Sequence, residues 1–62
     1  MLYKHKNFGD SKYYAISTDF WGHTEVVEYV NGCPKTRLSM TEDQSTNFIQ
    51  MLKNNNWHND ED

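Results

Sequence analysis

One cysteine, three histidines and a few acids are the residues of this chain that could do chemistry. Cys33 lies between the Asn31-Gly32 pair and Pro34. A nucleophilic cysteine needs a nearby cation, histidine or helix N-terminus that stabilises its thiolate. Asn-Gly predicts a tight hairpin turn that keeps Cys33 away from any such group. We therefore interpret Cys33 as a turn residue and not as a reactive thiol.

The remaining polar groups do not have the spacing of a metal or catalytic site. No two of the candidate ligands have the short separation typical of structural zinc sites; they are His5, His23, His58 and Cys33. An acid–base cluster of Asp19, His23 and Glu25 surrounds the stretch "DFWGH", but loops are rich in polar residues in any protein. A chain of this size also has little room for a water-excluding pocket. We expect a non-enzyme without catalytic residues, cofactor or metal.

Length and composition predict one small folded domain. The chain has 62 residues, of which 35% are hydrophobic, and its mean hydropathy is −1.00. Two Trp, four Tyr and three Phe compensate for the scarce aliphatic residues, because each aromatic ring buries a large area. With one cysteine no internal disulfide can form. Because small domains usually need some added stabilisation, this favours association with a partner or with a second copy.

The charge distribution favours a protein partner. Six Lys/Arg face six Asp/Glu over residues 1–59, and the net charge of −3 comes from residues 60–62. A nucleic-acid binder normally carries a basic excess, because phosphate contacts supply much of its affinity. No apolar run is as long as a membrane span or a signal sequence, and the unpaired cysteine indicates the cytoplasm. We expect a cytoplasmic protein that does not bind membranes, and the charge balance disfavours nucleic acid as a partner.

The Asn-Gly turn also predicts a register for the hairpin around it. If the loop is two residues long, opposite positions sum to 63 and Glu28 faces Lys35, a favourable charge pair. One face then carries Val27, Tyr29, Thr36 and Leu38, which we predict as core. The other face carries Val26, Glu28, Val30, Cys33, Lys35 and Arg37, which we predict as exposed. Pro34 cannot donate to a further strand, so the second strand is predicted to lie at an edge.

Two further strands and one helix complete the predicted fold. The stretch "YYAIST", residues 13–18, alternates like a strand and connects through "DFWGH" to the hairpin, and residues 2–8 could form another strand. Thr41 with Gln44 forms a capping box, with Ser39 and Glu42 as the other possible frame, and Phe48, Ile49, Met51 and Leu52 share one helical arc. The predicted domain covers residues 1–56, and residues 57–62 are predicted as a flexible acidic tail.

These elements predict an α+β fold, with an antiparallel meander of three to four strands followed by one C-terminal amphipathic helix on one sheet face. The uncovered face and the "DFWGH" loop are the candidate binding surface. An apolar centre with charged and aromatic neighbours is typical of protein interfaces. The predicted contact residues are Tyr13, Phe20, Trp21, Val26, Val30 and Arg37, and the partner is a foreign host protein or a second copy, which would give a homodimer.

Two resemblances define further expectations. The order of three strands and a helix over residues 13–54 resembles the AP2-like DNA-binding domains, which read DNA with a basic sheet face. Here that face would carry Lys35 and Arg37 against Glu28, and DNA binding is the alternative function. In size, acidity and aromatic content the chain also resembles small inhibitors that bacteriophages and mobile elements direct against host proteins, including anti-defence proteins. This resemblance implies an inhibitor that covers a surface of its target.

Overall fold

A five-stranded antiparallel sheet and one helix make up the computed structural model, which describes residues 1–60. The elements are β1 (Leu2–Lys4), β2 (Lys12–Thr18), β3 (Thr24–Val30), β4 (Cys33–Met40), α1 (Glu42–Asn54) and β5 (His58–Asn59). The strand order is β4-β3-β2-β1-β5, so the chain forms a meander whose last strand returns beside the first. The predicted α+β meander with one following helix is confirmed, and β4 is an edge strand as predicted.

The hairpin turn is as predicted, but the register changes two pairs beyond it. Asn31 and Gly32 have φ of 54° and 83°, as a type I′ turn requires, and Val30 faces Cys33. A bulge between the pairs of Tyr29 and Glu28 then shifts the register, so Glu28 faces Thr36 and the predicted Glu28–Lys35 pair is wrong. Proline in a sheet is confined to edges and bulges, and Pro34 immediately precedes this bulge.

The bulge changes which residues form the core. Val26, predicted as exposed, is 2% exposed and packs with Tyr3, Ile16 and Leu52, whereas Leu38, predicted as core, is 45% exposed. The shifted register sets Leu38 opposite Val26, and Met40 opposite Thr24, on the face that the helix covers. Val27 and Tyr29, also predicted as core, lie on the face of the sheet that the helix does not cover, which we call the open face. Val27 is nevertheless buried there, at 6% exposed, as predicted, and Tyr29 is half-buried. Only this shifted register brings Leu38 and Met40, the apolar residues of β4 beyond the bulge, onto the same face as Val26.

The helix is delimited by its own sequence at both ends. Thr41 Oγ1 accepts from the backbone N–H of Gln44, and Gln44 Oε1 accepts from the N–H of Thr41, so the predicted capping box is confirmed. At the other end Asn56 has φ of 69° and donates to the carbonyl of Lys53, while the Trp57 N–H donates to the carbonyl of Leu52. These two bonds form a Schellman motif, which reverses the chain after the helix.

That reversal overturns the predicted tail for residues 57–60. The Trp57 ring lies 5.0 Å from Tyr14, 5.3 Å from His5 and 5.6 Å from Phe8, measured between ring centroids. Beyond it β5 pairs with β1, and the Asp60 N–H donates to the Leu2 carbonyl at 2.7 Å. The folded unit therefore extends past residue 56, because an asparagine tolerates the left-handed backbone that the turn needs. The prediction for residues 61 and 62 lies outside the described residues.

The N-terminal strand is shorter than the stretch that suggested it. Only residues 2–4 pair with β2, and Tyr3 enters the core beside Ile16. His5 is buried, and its Nδ1 accepts from the Asn7 N–H at 3.0 Å. At thirteen residues and with a polar composition, the helix found within residues 1–60 does not meet the requirements for crossing a membrane.

Candidate functional site

The loop between β2 and β3 presents the most exposed large apolar side chains of residues 1–60. Phe20 is 91% exposed and Trp21 is 78% exposed. Their rings form an edge-to-face pair with centroids 5.1 Å apart. The sequence predicted both residues as contacts, and the structure places them side by side at one end of the sheet. We call this pair the aromatic tip.

Asp19 fixes the backbone that carries the aromatic tip. Its Oδ1 accepts from the N–H of Trp21 and from the N–H of His23, each at 2.9 Å. The Asp19 N–H also donates to the His23 carbonyl, and Gly22 takes the positive φ of 83° expected for it. Aspartate often closes turns in this way, by accepting hydrogen bonds from the backbone that follows it. The tip therefore sits on a hydrogen-bonded turn.

A shallow polar cavity of about 170 Å³ lies behind this turn. Its lining comprises Ser17, Thr18, Asp19, His23, Thr24, Glu25 and Ser39. The volume is below the ~300 Å³ at which small-molecule pockets typically begin. His23 Nδ1 lies 3.6 Å from Asp19 Oδ2, and both side chains are more than half exposed. Asp19, His23 and Glu25 therefore line one shallow cavity.

The other predicted contact residues do not join the aromatic tip. Tyr13 is on the open face, stacked against Tyr29 at 5.0 Å, and Arg37 is on the same face. Val26 cannot be a contact, because it is buried under the helix. Val30 alternates onto the same side as Val26, at the end of β3 opposite the loop, and is half-buried. The six residues therefore occupy at least three separate places.

The open face is balanced in charge. Lys4 Nζ lies 3.0 Å from Asp10 and 3.3 Å from Asp60, and Arg37 Nε lies 3.6 Å from Glu25. The hydrogen bonds from Lys4 to Asp10 and then to Asp60 raise the pKa of its ammonium group above the usual value. Two of the cations on this face are thus already neutralised by carboxylates. This arrangement gives no support to a phosphate-binding sheet face.

Glu28 instead contributes to the helix side of the sheet. It accepts from the Tyr14 hydroxyl at 3.1 Å and lies 3.8 Å from Lys12 Nζ. Partial burial raises the pKa of the Tyr14 hydroxyl, and the hydrogen bond to Glu28 raises it further. Glu28 is therefore tied to the folded core, in contrast to its predicted place on the exposed face beside Lys35.

The candidate ligands for a metal remain apart in the fold. Cys33 is exposed at the β3–β4 turn, His5 is buried beside Trp57, and His23 is in the β2–β3 loop. Within residues 1–60 no three His, Cys, Asp or Glu side chains lie close enough together to hold a metal ion.

Sequence reasoning predicted from Pro34 that β4 lies at an edge of the sheet, but it did not consider that edge as a binding surface. Every residue from Cys33 to Ser39 is exposed, and no described strand lies beyond β4 in the sheet. Pro34 is compatible with an edge or with a bulge, and the sequence analysis inferred the edge alone. Comparisons with protein-family models, curated proteins and solved structures find no match to this chain.

Proposed function

We propose that this chain is a small, non-enzymatic protein-binding module whose anchor is the aromatic tip. The observation that carries the proposal is the exposure of Phe20 and Trp21 together on a turn that Asp19 holds in place. Two adjacent exposed rings lose favourable burial in water, and their burial against a partner would recover it. Trp is among the residues most enriched in binding hot spots.

The rigidity of the turn supports the same proposal. A loop that must be ordered on binding loses affinity through conformational entropy. Here the backbone N–H groups of Trp21 and His23 are already bonded to Asp19, so the backbone that carries both rings is ordered before binding. Such a tip suits an apolar pocket on the partner that takes both rings.

The partner class follows from the module's size and chemistry. The cavity behind the turn is smaller than a typical small-molecule pocket, so we expect the module to act by occupying a surface of its target. We propose a phage- or mobile-element-type inhibitor of a host protein, acting in the cytoplasm. The expected partner surface is an apolar cleft, because the tip presents two hydrocarbon rings.

The test is capture of a partner from a lysate of the source cells, followed by affinity measurement with the purified partner. Trp21→Ala should weaken binding more than tenfold, since truncating an aromatic anchor typically costs about 2 kcal/mol. The free energy of unfolding of Trp21→Ala should differ from that of the wild type by less than about 0.5 kcal/mol, because Trp21 is mostly exposed.

The matched control is Met51→Ala, which removes a side chain that is 48% exposed on the helix. We expect unchanged binding for this variant and for Asp43→Ala, also on the helix. A partner whose affinity falls with Met51→Ala or Asp43→Ala, but not with Trp21→Ala, would transfer the contact to the helix. A duplex DNA shift abolished by Arg37→Ala would favour the DNA-binding alternative.

A further inference from the structure

The outward backbone groups of β4 follow from the hydrogen bonds of the neighbouring ladder. The backbone N–H of Asp19 donates to the carbonyl of His23, and the backbone N–H of Asn31 donates to the carbonyl of Ser11. These two bonds mark hydrogen-bonded pairs at both ends of the β2–β3 ladder. Antiparallel pairs alternate between bonded and non-bonded, so Glu25, Val27 and Tyr29 bond to β2. Thr24, Val26 and Glu28 then bond to β4 through Met40, Leu38 and Thr36.

Arg37 and Ser39 consequently direct both their N–H and their C=O away from the sheet. They lie opposite Val27 and Glu25, whose backbone groups are used by β2. Pro34 and the bulge interrupt the edge only near the turn. Residues 36–40 therefore offer a regular strand edge with two N–H donors and two C=O acceptors that no strand within residues 1–60 covers.

We propose that this edge pairs with the same edge of a second copy, which joins two sheets into one continuous antiparallel sheet. In the register we assign, Arg37 of each copy faces Ser39 of the other, and the two Leu38 residues meet on the two-fold axis. Both facing residues have outward backbone groups, so each of the two pairs can exchange two hydrogen bonds. The edge is self-complementary in this register.

The neighbouring symmetric registers fail for local reasons. Shifting one way sets Arg37 opposite Arg37 of the second copy, and like charges directly opposite are destabilising. Shifting the other way sets Arg37 opposite Thr41, whose N–H already donates to Gln44 Oε1 at 3.1 Å. In the registers between these, the outward backbone groups of Arg37 and Ser39 would face residues whose backbone groups already bond to β3.

The side chains also fit a second copy on both faces. On the helix side Leu38, which is 45% exposed, would meet its own equivalent, and Thr36 would lie opposite Met40. On the open face, Ser39 separates Glu25 of one copy from Arg37 of the other, at about 10 Å between Cα atoms across two strand spacings. Two arginines and two glutamates then share this side of the seam, so the charges across it are balanced.

The decisive test is register-specific crosslinking in a Cys33→Ser background. Leu38→Cys places two cysteines at a non-bonded antiparallel pair, where the Cα atoms are about 4.5 Å apart, within the range that a disulfide accepts. We expect a covalent dimer under mild oxidation. The control is Thr36→Cys, exposed on the same face, whose equivalents would lie at least about 13 Å apart and stay uncrosslinked.

A second measurement concerns the backbone. Sedimentation equilibrium over a hundredfold range of concentration should show a reversible dimer for the wild type and for Ser39→Ala. Ser39→Pro removes an outward N–H that the chain's own sheet does not use, so it should weaken dimerisation more than tenfold while circular dichroism stays unchanged.

The outcomes separate the proposal from its competitors. A monomer at every concentration, with no disulfide from Leu38→Cys, overturns it, and so does a dimer that crosslinks equally through Thr36→Cys. A dimer that Ser39→Pro leaves intact would lie on another surface. None of these results depends on the aromatic tip. If the β4 edge does not dimerise, the proposed partner contact of the tip still stands or falls by its own test, and the reverse also holds.

Discussion

The two tryptophans lie in polar stretches of similar character, yet the fold treats them in opposite ways. Trp21 lies in a polar loop and contacts the ring of its neighbour Phe20. Trp57 follows three asparagines and contacts His5, Phe8 and Tyr14 from separate parts of the chain. The difference arises in the turns: Asp19 holds Trp21 outward, whereas the left-handed Asn56 directs Trp57 back under the sheet.

This contrast shows which aromatic residue the fold needs. The buried cluster of residues 1–60 is small, with Tyr3, Ile16, Val26 and Leu52 at its centre, and Trp57 extends it toward the N-terminal segment. Removing Trp57 would leave a gap, whereas removing Trp21 leaves none. We infer that Trp57 serves stability and that Trp21 is available for binding.

The largest effect that separates the two should come from truncation. Trp57→Ala should lower the free energy of unfolding by about 3 kcal/mol, because a packed indole is replaced by a gap. Trp21→Ala should change it by less than about 0.5 kcal/mol. Urea unfolding followed by circular dichroism measures both. Equal destabilisation would mean that the aromatic tip also belongs to the core.

A smaller effect should come from the turn that positions Trp57. Asn56→Ala should cost about 1 kcal/mol, because alanine is strained at φ of 69°, and Asn56→Gly should be neutral or stabilising. The same urea assay applies. The matched control is Asn54→Ala, inside the helix, where alanine is the better helix former. Equal results for alanine and glycine at position 56 would contradict the assigned Schellman motif.

The smallest expected effect is a pH dependence of stability that also changes the fluorescence of Trp57 and not that of Trp21. Tyr14 touches this indole, and its pKa is raised above the ordinary value of 10.0 by burial and by Glu28. A group whose folded pKa is raised stabilises the fold below its unfolded pKa, and this contribution is lost as the pH rises through the folded pKa. The raised pKa of Lys4 acts in the same direction, so stability should decline above about pH 10.

Single-tryptophan variants make this dependence visible. In Trp21→Phe the remaining indole, Trp57, should be quenched as Tyr14 ionises at high pH, because tyrosinate lies against it. Adding Tyr14→Phe should abolish that step. In Trp57→Phe the emission of Trp21 should not follow it. Quenching of Trp21 with the same midpoint would show that the two regions are not independent.

Local signals predicted the parts of the fold that local chemistry decides. Asn31-Gly32 was enough for the turn and Thr41 with Gln44 for the start of the helix, because each motif satisfies its own backbone. Pro34 was enough for the edge. The exposure of at least one of Phe20 and Trp21 was also predictable, since two adjacent aromatic residues in a turn are hard to bury together. The exposure of both is seen only in the structure.

The errors all came from tertiary choices. The bulge at Lys35 moved the β4 side chains beyond it to the other face, because a one-residue shift changes the side to which each residue points. Leu38 therefore lies opposite Val26, which the sequence analysis assigned to the exposed face. The return of Trp57 depended on Asn56 adopting a left-handed backbone, which asparagine permits but does not enforce. Neither event can be decided from neighbouring residues alone.

The pairing of β5 with β1 has a consequence for the order of assembly. Tyr3 faces Asn59, so this contact joins positions 56 residues apart, the difference between 59 and 3. Closing so large a loop costs entropy before any contact repays it. Until β5 pairs with it, β1 has a strand partner on one side alone, which is β2. We expect the β2–β3–β4 meander to form first, with the C-terminal strand closing the sheet as the final step.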